Sequence, residues 1–131
     1  MGNEKDLLKR QLRRFIVAGV CAVATDTTFY FTLTALLENQ VALSKSVSFI
    51  AGTIVAYLIN KYYTFEQKHY STNELIRFAM LYVSTLLVNT SVNSLVLFLL
   101  TEEFKIIAFL CATGTSTILN FLGQKYFVFK V

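Results

Sequence analysis

The chain has 131 residues, of which 55% are hydrophobic and 15% are charged, and it contains no proline. Soluble domains carry about 45–50% apolar and about 25% charged residues, and the core of so short a soluble chain could not bury this much apolar surface. The composition therefore excludes an ordinary soluble domain. The net charge is +4, and the charged residues cluster at the ends of apolar runs. This distribution indicates the topology signal of a membrane protein and no nucleic-acid partner.

Four apolar segments follow one another and predict an all-α membrane protein with four transmembrane helices in a single domain, 1–131. The segments are 15–37, 41–60, 78–100 and 106–124. About 20 apolar residues in a helix cross a hydrocarbon core of about 30 Å. Short turns after the first and third segments join the helices into two tandem helical hairpins, and Asn39 lies in the first of these turns.

The basic residues predict how the helices are oriented. Lys45 and Lys105 fall on one side of the predicted spans, whereas the other side carries Lys5, Lys9, Arg10, Arg13, Arg14, Lys61, Lys68, Arg77, Lys125 and Lys130. Because basic residues concentrate on the cytoplasmic side, this bias predicts that both termini are cytoplasmic.

Apolar residues also recur at helical spacing among the first basic residues, at Leu7, Leu8, Leu12 and Phe15. This pattern predicts a short amphipathic interfacial helix before the first span. A simple topology signal is the alternative interpretation.

The two hairpins are related by an internal repeat, 14–65 and 77–129. Each repeat opens with Arg-Phe and closes with Lys-Tyr-x-x-Phe. Since each repeat crosses the membrane twice, both have the same orientation. An offset of 60 pairs Lys45 with Lys105 and Asn60 with Asn120, whereas the closing motifs differ by 64, which predicts an insertion of one helical turn in the fourth helix.

Small and polar side chains interrupt the apolar spans and are the candidates for a substrate path. They are Asp26, Ala56, Asn60, Asn89, Asn93, Ser116, Asn120 and Gln124. Ionisable residues inside a bilayer are costly and usually mark function, and Asp26 should be paired or protonated. The structural alternative is close helix packing with interhelical hydrogen bonds.

Basic residues near the span ends are candidates for phosphate binding: Arg14, Lys45, Lys61, Arg77, Lys105 and Lys125. The closing motifs add aromatic candidates at Tyr62, Phe65, Tyr126 and Phe129. The alternatives are snorkelling lysines and an ordinary aromatic belt. No P-loop, HExxH or CxxC motif occurs, so we expect no metal and no cofactor, and neither an ATP-driven pump nor a metalloenzyme.

The order of these features resembles the GtrA-like family of small bacterial membrane proteins. The resemblance rests on Arg14-Phe15, Asp26, the Asn-Lys-Tyr-Tyr-Thr-Phe segment 60–65, Arg77-Phe78, Asn120 and the closing motif 125–129. It implies a non-enzymatic flippase that moves a polyprenyl-phosphate-linked sugar across the bacterial plasma membrane for glycosylation of cell-surface polysaccharide or teichoic acid. Implied partners are membrane lipids and the membrane glycosyltransferases of the same pathway.

Two other functions compete with the flippase. One is a non-transporting scaffold for a polyprenyl-phosphate-dependent glycosyltransferase, and the other is a small proton-coupled multidrug exporter. The strong charge bias argues against the exporter, whose relatives commonly insert in both orientations. Because four short helices leave little room to enclose a sugar, we also expect a homo-oligomer with contacts between small-residue faces.

Overall fold

The computed structural model describes residues 2–38 and 40–131, so Asn39 of the first predicted turn lies outside the described residues. The described residues form four long helices, α1 (Gly2–Leu36), α2 (Val41–Ile59), α3 (Thr72–Leu100) and α4 (Lys105–Gly123). A 3-10 turn, Glu102–Phe104, precedes α4, and π-helical turns follow α2 at Asn60–Thr64 and α4 at Gln124–Val128. The all-α prediction is confirmed.

All four helices are long and apolar enough to cross a membrane. Large apolar side chains remain exposed along their outer faces; Phe98, for example, is 84% exposed, and Val20, Phe31 and Ile106 are exposed as well. Exposing such apolar surfaces to water is unfavourable, whereas contact with the hydrocarbon core of a bilayer is not. The protein is therefore a multi-pass membrane protein, as the sequence predicts.

The chain divides into two compact units, Met1–Lys68 and His69–Val131. In the first unit α1 packs against α2, and in the second α3 packs against α4. These units, called here the first and second hairpins, are the two predicted tandem hairpins. The helices of the first hairpin approach closely at Gly52, where an added Cβ would lie 2.9 Å from the carbonyl oxygen of Ala22.

The prediction of a separate interfacial helix before the first span is wrong. Gly2–Leu36 is one uninterrupted helix. The residues from Lys5 to Arg14 are mostly good helix formers and include neither glycine nor proline, so nothing breaks the helix where it becomes apolar. At about 1.5 Å per residue α1 is about 50 Å long, and its basic N-terminal turns therefore extend beyond a hydrocarbon core of about 30 Å.

The second correction concerns the register of the repeat. Both α2 and α4 have 19 residues, and their ends, like those of the π-helical turns, differ by 64 throughout. Asn60 therefore corresponds to Gln124, and the predicted pairings of Asn60 with Asn120 and of Lys45 with Lys105 are wrong. No turn is inserted in α4. Because residues four apart share a helix face, a shift of one turn preserves a similar pattern and misleads the sequence comparison.

Candidate functional site

An ion pair inside the first hairpin joins its two helices. The Nζ atom of Lys45 on α2 lies 2.8 Å from Oδ2 of Asp26 on α1, and it also lies 5.7 Å from the ring centre of Tyr30. Asp26 follows Arg14 by twelve residues, about 18 Å along the helix. Sequence analysis gave snorkelling as one alternative for Lys45; in the structure its side chain reaches the carboxylate of Asp26, which offsets the cost of a charge in a bilayer.

The face of α2 that packs against α1 is a line of small and polar residues spaced by four. Its members are buried: Ser44, Ser48, Gly52, Ala56 and Asn60. At the end of the line, the hydroxyl of Thr64 donates a hydrogen bond of 2.9 Å to Oδ1 of Asn60. Ala56 and Asn60 therefore form part of the helix contact, the structural role that small residues commonly play in membranes.

Neutral polar groups occupy the matching region of the second hairpin. Asn89 Nδ2 on α3 donates to Ser116 Oγ on α4 over 3.0 Å, and Thr85 Oγ1 donates to Asn120 Oδ1 over 3.1 Å. Asn93 lies half-buried one turn beyond Asn89. The structure thus brings Asn89, Ser116 and Asn120 into one interhelical contact. Sequence reasoning missed Thr85, although its position one turn before Asn89 was a usable signal.

The closing motifs form π-helical turns, which the sequence analysis did not predict. The backbone amides of Phe65 and Phe129 donate to the carbonyl oxygens of Asn60 and Gln124 over 2.8 and 2.9 Å. Phe65 and Phe129 are buried. The repeated motif therefore forms a π-helical turn of the backbone that ends at one buried phenylalanine. Such π-helical segments are frequent at functional sites.

Each π-helical turn is followed by a residue in the left-handed region, Glu66 or Lys130, with a φ of 55° at both positions. Tyr62 and Tyr126 of the two motifs are exposed. Exposed tyrosines at the ends of spans fit the aromatic belt of a membrane interface.

The two polar residues that open the π-helical turns differ in their partners. Gln124 is fully buried and neither polar atom of its side-chain amide has a hydrogen-bond partner, whereas Asn60 accepts the bond from Thr64. An unsatisfied buried polar atom costs about 1–3 kcal/mol. Gln124 is therefore a polar group whose hydrogen-bonding capacity is unused within its own hairpin.

Besides Lys45, the other three lysines predicted to bind phosphate lie in different environments. Lys61 is fully buried, with its Nζ 3.5 Å from the hydroxyl of Tyr57. Lys125 is half-buried, with its Nζ 5.4 Å from the ring centre of Tyr126. Lys105 is exposed at the first residue of α4. Lys61 is thus the most buried of these three lysines and packs within the π-helical turn.

Arg14 connects α1 to the loop after the first π-helical turn. Its guanidinium donates to the carbonyl oxygen of Tyr63 over 2.8 Å, stacks 4.7 Å from the centre of that ring, and forms a salt bridge with Glu66. Arg10 lies 3.7 Å from the same carboxylate. The hydrogen bond from Arg14, assisted by the charge of Arg10, lowers the pKa of Glu66 below its ordinary value.

A groove of about 350 Å³ lies beside this salt bridge, and its lining consists of Arg10, Arg13, Arg14, Val17 and Tyr63. In the second hairpin the residue corresponding to Arg14 is Arg77, which is half-buried and donates to the carbonyl oxygen of Val128 over 3.0 Å. Sequence reasoning identified both arginines but missed Arg10, Arg13 and Glu66. The adjacent arginines of α1 were a signal for this basic surface.

In the part of the chain that the structure describes, no three His, Cys, Asp or Glu side chains lie close enough together to hold a metal ion. The polar interactions described between the helices are ion pairs and hydrogen bonds.

Four spans in two hairpins and polar contacts between the helices of each hairpin define a multi-pass membrane protein with an internal repeat. The family model described as GtrA/DPMS, transmembrane domain, matches residues 14–129, and the chain belongs to this family. It is also similar to the uncharacterized membrane protein YwcD of Bacillus subtilis (strain 168), with 19% identity over 119 residues that cover 88% of this chain and 94% of the relative. No solved structure gives a significant match.

Proposed function

We propose that the protein is a flippase that moves a polyprenyl-phosphate-linked monosaccharide across the bacterial plasma membrane, with both termini in the cytoplasm. Membership of the GtrA/DPMS family supports a role in polyprenyl-phosphate sugar translocation. The observation that carries the proposal is the ion pair between Asp26 and Lys45, which joins α1 to α2 with the Lys45 side chain 57% exposed on the surface of the hairpin. Charged groups within spans are costly, and they usually mark the route of a polar substrate or ion.

The substrate defines what the protein must supply. A polyprenyl tail is compatible with lipid, whereas its phosphate and sugar need charged and hydrogen-bonding partners during the crossing. Asp26 and Lys45 offer an acceptor and a donor in the first hairpin, and Asn89, Asn120 and their partners offer amides and hydroxyls in the second. The protein would perform no covalent chemistry, and consumption of the sugar on the outer face would drive net transport.

Transport can be measured with a short-chain polyprenyl-phosphate glucose added outside proteoliposomes that contain the purified protein. We expect wild type to deliver the lipid to the inner leaflet, and the double variant Asp26→Asn/Lys45→Met to fall to the level of protein-free vesicles. The double change removes both charges together and so leaves no unpaired ion in the membrane.

A matched control is Thr28→Val, because Thr28 is exposed on α1 and its hydroxyl bonds only within its own helix, to Ala24. This variant should transport like wild type. Wild-type vesicles that behave like protein-free vesicles would contradict the flippase proposal, and a fully active double variant would contradict the role of the ion pair.

A scaffold for a membrane glycosyltransferase is the second candidate. It is favoured by the fact that Asn89 and Asn120 already have partners within their own hairpin, as expected for purely structural polar residues. In that case surface replacements should disrupt glycosylation in cells, whereas the Asp26→Asn/Lys45→Met variant should support it. In either role we propose that the protein acts as a homo-oligomer together with the glycosyltransferase that uses the sugar.

A further inference from the structure

The basic groove of the first hairpin combines three arginines with one carboxylate. Arg10, Arg13 and Arg14 line it, and Glu66 contacts two of these guanidinium groups from its edge. The groove thus has an excess of positive charge even when the glutamate is ionised. Guanidinium groups are planar donors that match the oxygens of carboxylates and phosphates.

The carboxylate of Glu66 is held weakly enough to leave Arg14. Its side chain is 53% exposed, and its backbone has a φ of 55°, a conformation that non-glycine residues adopt at a cost of about 1–2 kcal/mol. Exposed ion pairs contribute little to stability. A competing anion with more charge and more acceptor oxygens can therefore replace this carboxylate at Arg14.

The position of the groove favours the phosphate of a lipid over a soluble anion as its ligand. It lies where α1 changes from basic to apolar, with Val17 in its wall and the exposed side chains of Ile16 and Val20 on the same helix. A phosphate bound here would sit at the interface while its hydrocarbon chain followed the apolar surface of α1. A soluble anion would gain nothing from these apolar neighbours.

The second hairpin lacks this arrangement. Arg77 is half-buried against the carbonyl oxygen of Val128, and the position that corresponds to Glu66 holds the cation Lys130. The groove is therefore not a general consequence of the repeat.

We infer that the groove formed by Arg10, Arg13, Arg14 and Tyr63 binds the phosphate of a membrane lipid, and that Glu66 is an internal carboxylate which this phosphate displaces. The inference rests on the proposed function in one respect, since it names where the phosphate of the transported lipid would first bind. Binding itself requires no transport and can be tested separately.

The test measures the Kd of farnesyl phosphate for the full chain in detergent micelles by isothermal titration calorimetry. Arg13→Gln should weaken binding about tenfold by removing a charge-assisted hydrogen bond, and Glu66→Gln should tighten it about fivefold by removing the competing anion. The matched controls are Lys68→Gln and Glu103→Gln, which change the charge equally at exposed positions outside the groove and should have Kd values near that of wild type.

Two further ligands identify the source of the phosphate. Farnesol should not bind the groove because it has no phosphate, and inorganic phosphate should compete only weakly because it has no chain. Inorganic phosphate that binds as tightly as farnesyl phosphate would overturn the assignment to a lipid.

If Glu66→Gln binds farnesyl phosphate no more tightly than Glu103→Gln does, Glu66 is not displaced by the phosphate. If Arg13→Gln binds it as tightly as Lys68→Gln does, the groove is not the binding site. Transport in proteoliposomes separates these results from the proposed function: wild type that binds farnesyl phosphate without moving the sugar lipid contradicts only the flippase, and wild type that transports without this binding contradicts only the groove.

Discussion

The two hairpins have the same helix lengths in α2 and α4 and the same π-helical ending, but they join their helices by different interactions. The first hairpin uses charges, with Lys45 bound to Asp26 and Arg14 bound to Glu66. In the second, Asn89 occupies the position that corresponds to Asp26 and donates to Ser116, and Arg77, the counterpart of Arg14, donates to the carbonyl oxygen of Val128. The same hairpin backbone therefore accommodates either an ionic or an amide contact at this pair of corresponding positions.

This difference teaches which features belong to the fold and which to the function. The π-helical turns, the buried phenylalanines and the small-residue contacts occur in both hairpins. The Asp26–Lys45 and Arg14–Glu66 ion pairs use carboxylates at positions where the second hairpin has Asn89 and Lys130. We therefore propose that these two ion pairs serve the handling of a ligand and that the shared features stabilise each hairpin.

The largest effect should come from removing one partner of the charged contact. Lys45→Met leaves Asp26 in the membrane without its cation and should destabilise the first hairpin by about 2.5–3.5 kcal/mol, the cost of an acidic side chain at mid-bilayer. Unfolding in bicelles measures this loss. Ser116→Ala, which removes the partner of Asn89, should cost only about 0.6 kcal/mol.

The double variant Asp26→Asn/Lys45→Met sharpens this prediction. It should recover most of the stability that Lys45→Met loses, since no uncompensated charge remains. If Lys45→Met were no less stable than Ser116→Ala, the two hairpins would not differ in the way described above.

An intermediate effect is expected where the first pair of helices meets. Gly52→Ala places a Cβ 2.9 Å from the backbone oxygen of Ala22 and 3.1 Å from Cβ of Asp26, neither of which can move without shifting a helix. We expect a loss of about 1–2 kcal/mol from overpacking.

Gly123→Ala in the second hairpin is the control for this substitution. Its Cβ would meet the methyl groups of Leu81, the end of a flexible side chain that can turn aside. Equal thermal unfolding midpoints for Gly52→Ala and Gly123→Ala would show that the close approach of α1 and α2 is not rigid.

The smallest effect should be the pH dependence of the exposed salt bridge at Glu66. Because the folded-state pKa is lowered, the stabilisation is fully present above the unfolded value of about 4.3 and is lost as the pH falls through the lower folded value. The difference in unfolding midpoint between wild type and Glu66→Gln should be constant from pH 7 to about 5. A difference that already changes between pH 7 and 6 would contradict this assignment.

Much of the architecture could be predicted from the sequence because it depends on composition along the chain. The four spans are visible as apolar runs, the repeat as recurring motifs at their ends, and Asp26, Asn89 and Asn120 as polar or charged interruptions within the runs. Their orientation and their oligomeric state stay predictions. The continuous helix α1 was missed because an amphipathic pattern does not show whether a helix ends where its apolar character changes.

Sequence by itself determined that this protein is helical, crosses a membrane four times and repeats one hairpin, since hydrophobic length and charge position are read residue by residue. Only the tertiary structure decided that Lys45 contacts Asp26, that Asn60 corresponds to Gln124, and that Glu66 forms a salt bridge with Arg14. These contacts depend on how far each helix is rotated and where a π-helical turn adds a residue. Such angles arise from packing between segments that are distant in the chain, and a one-turn shift leaves the local pattern almost unchanged.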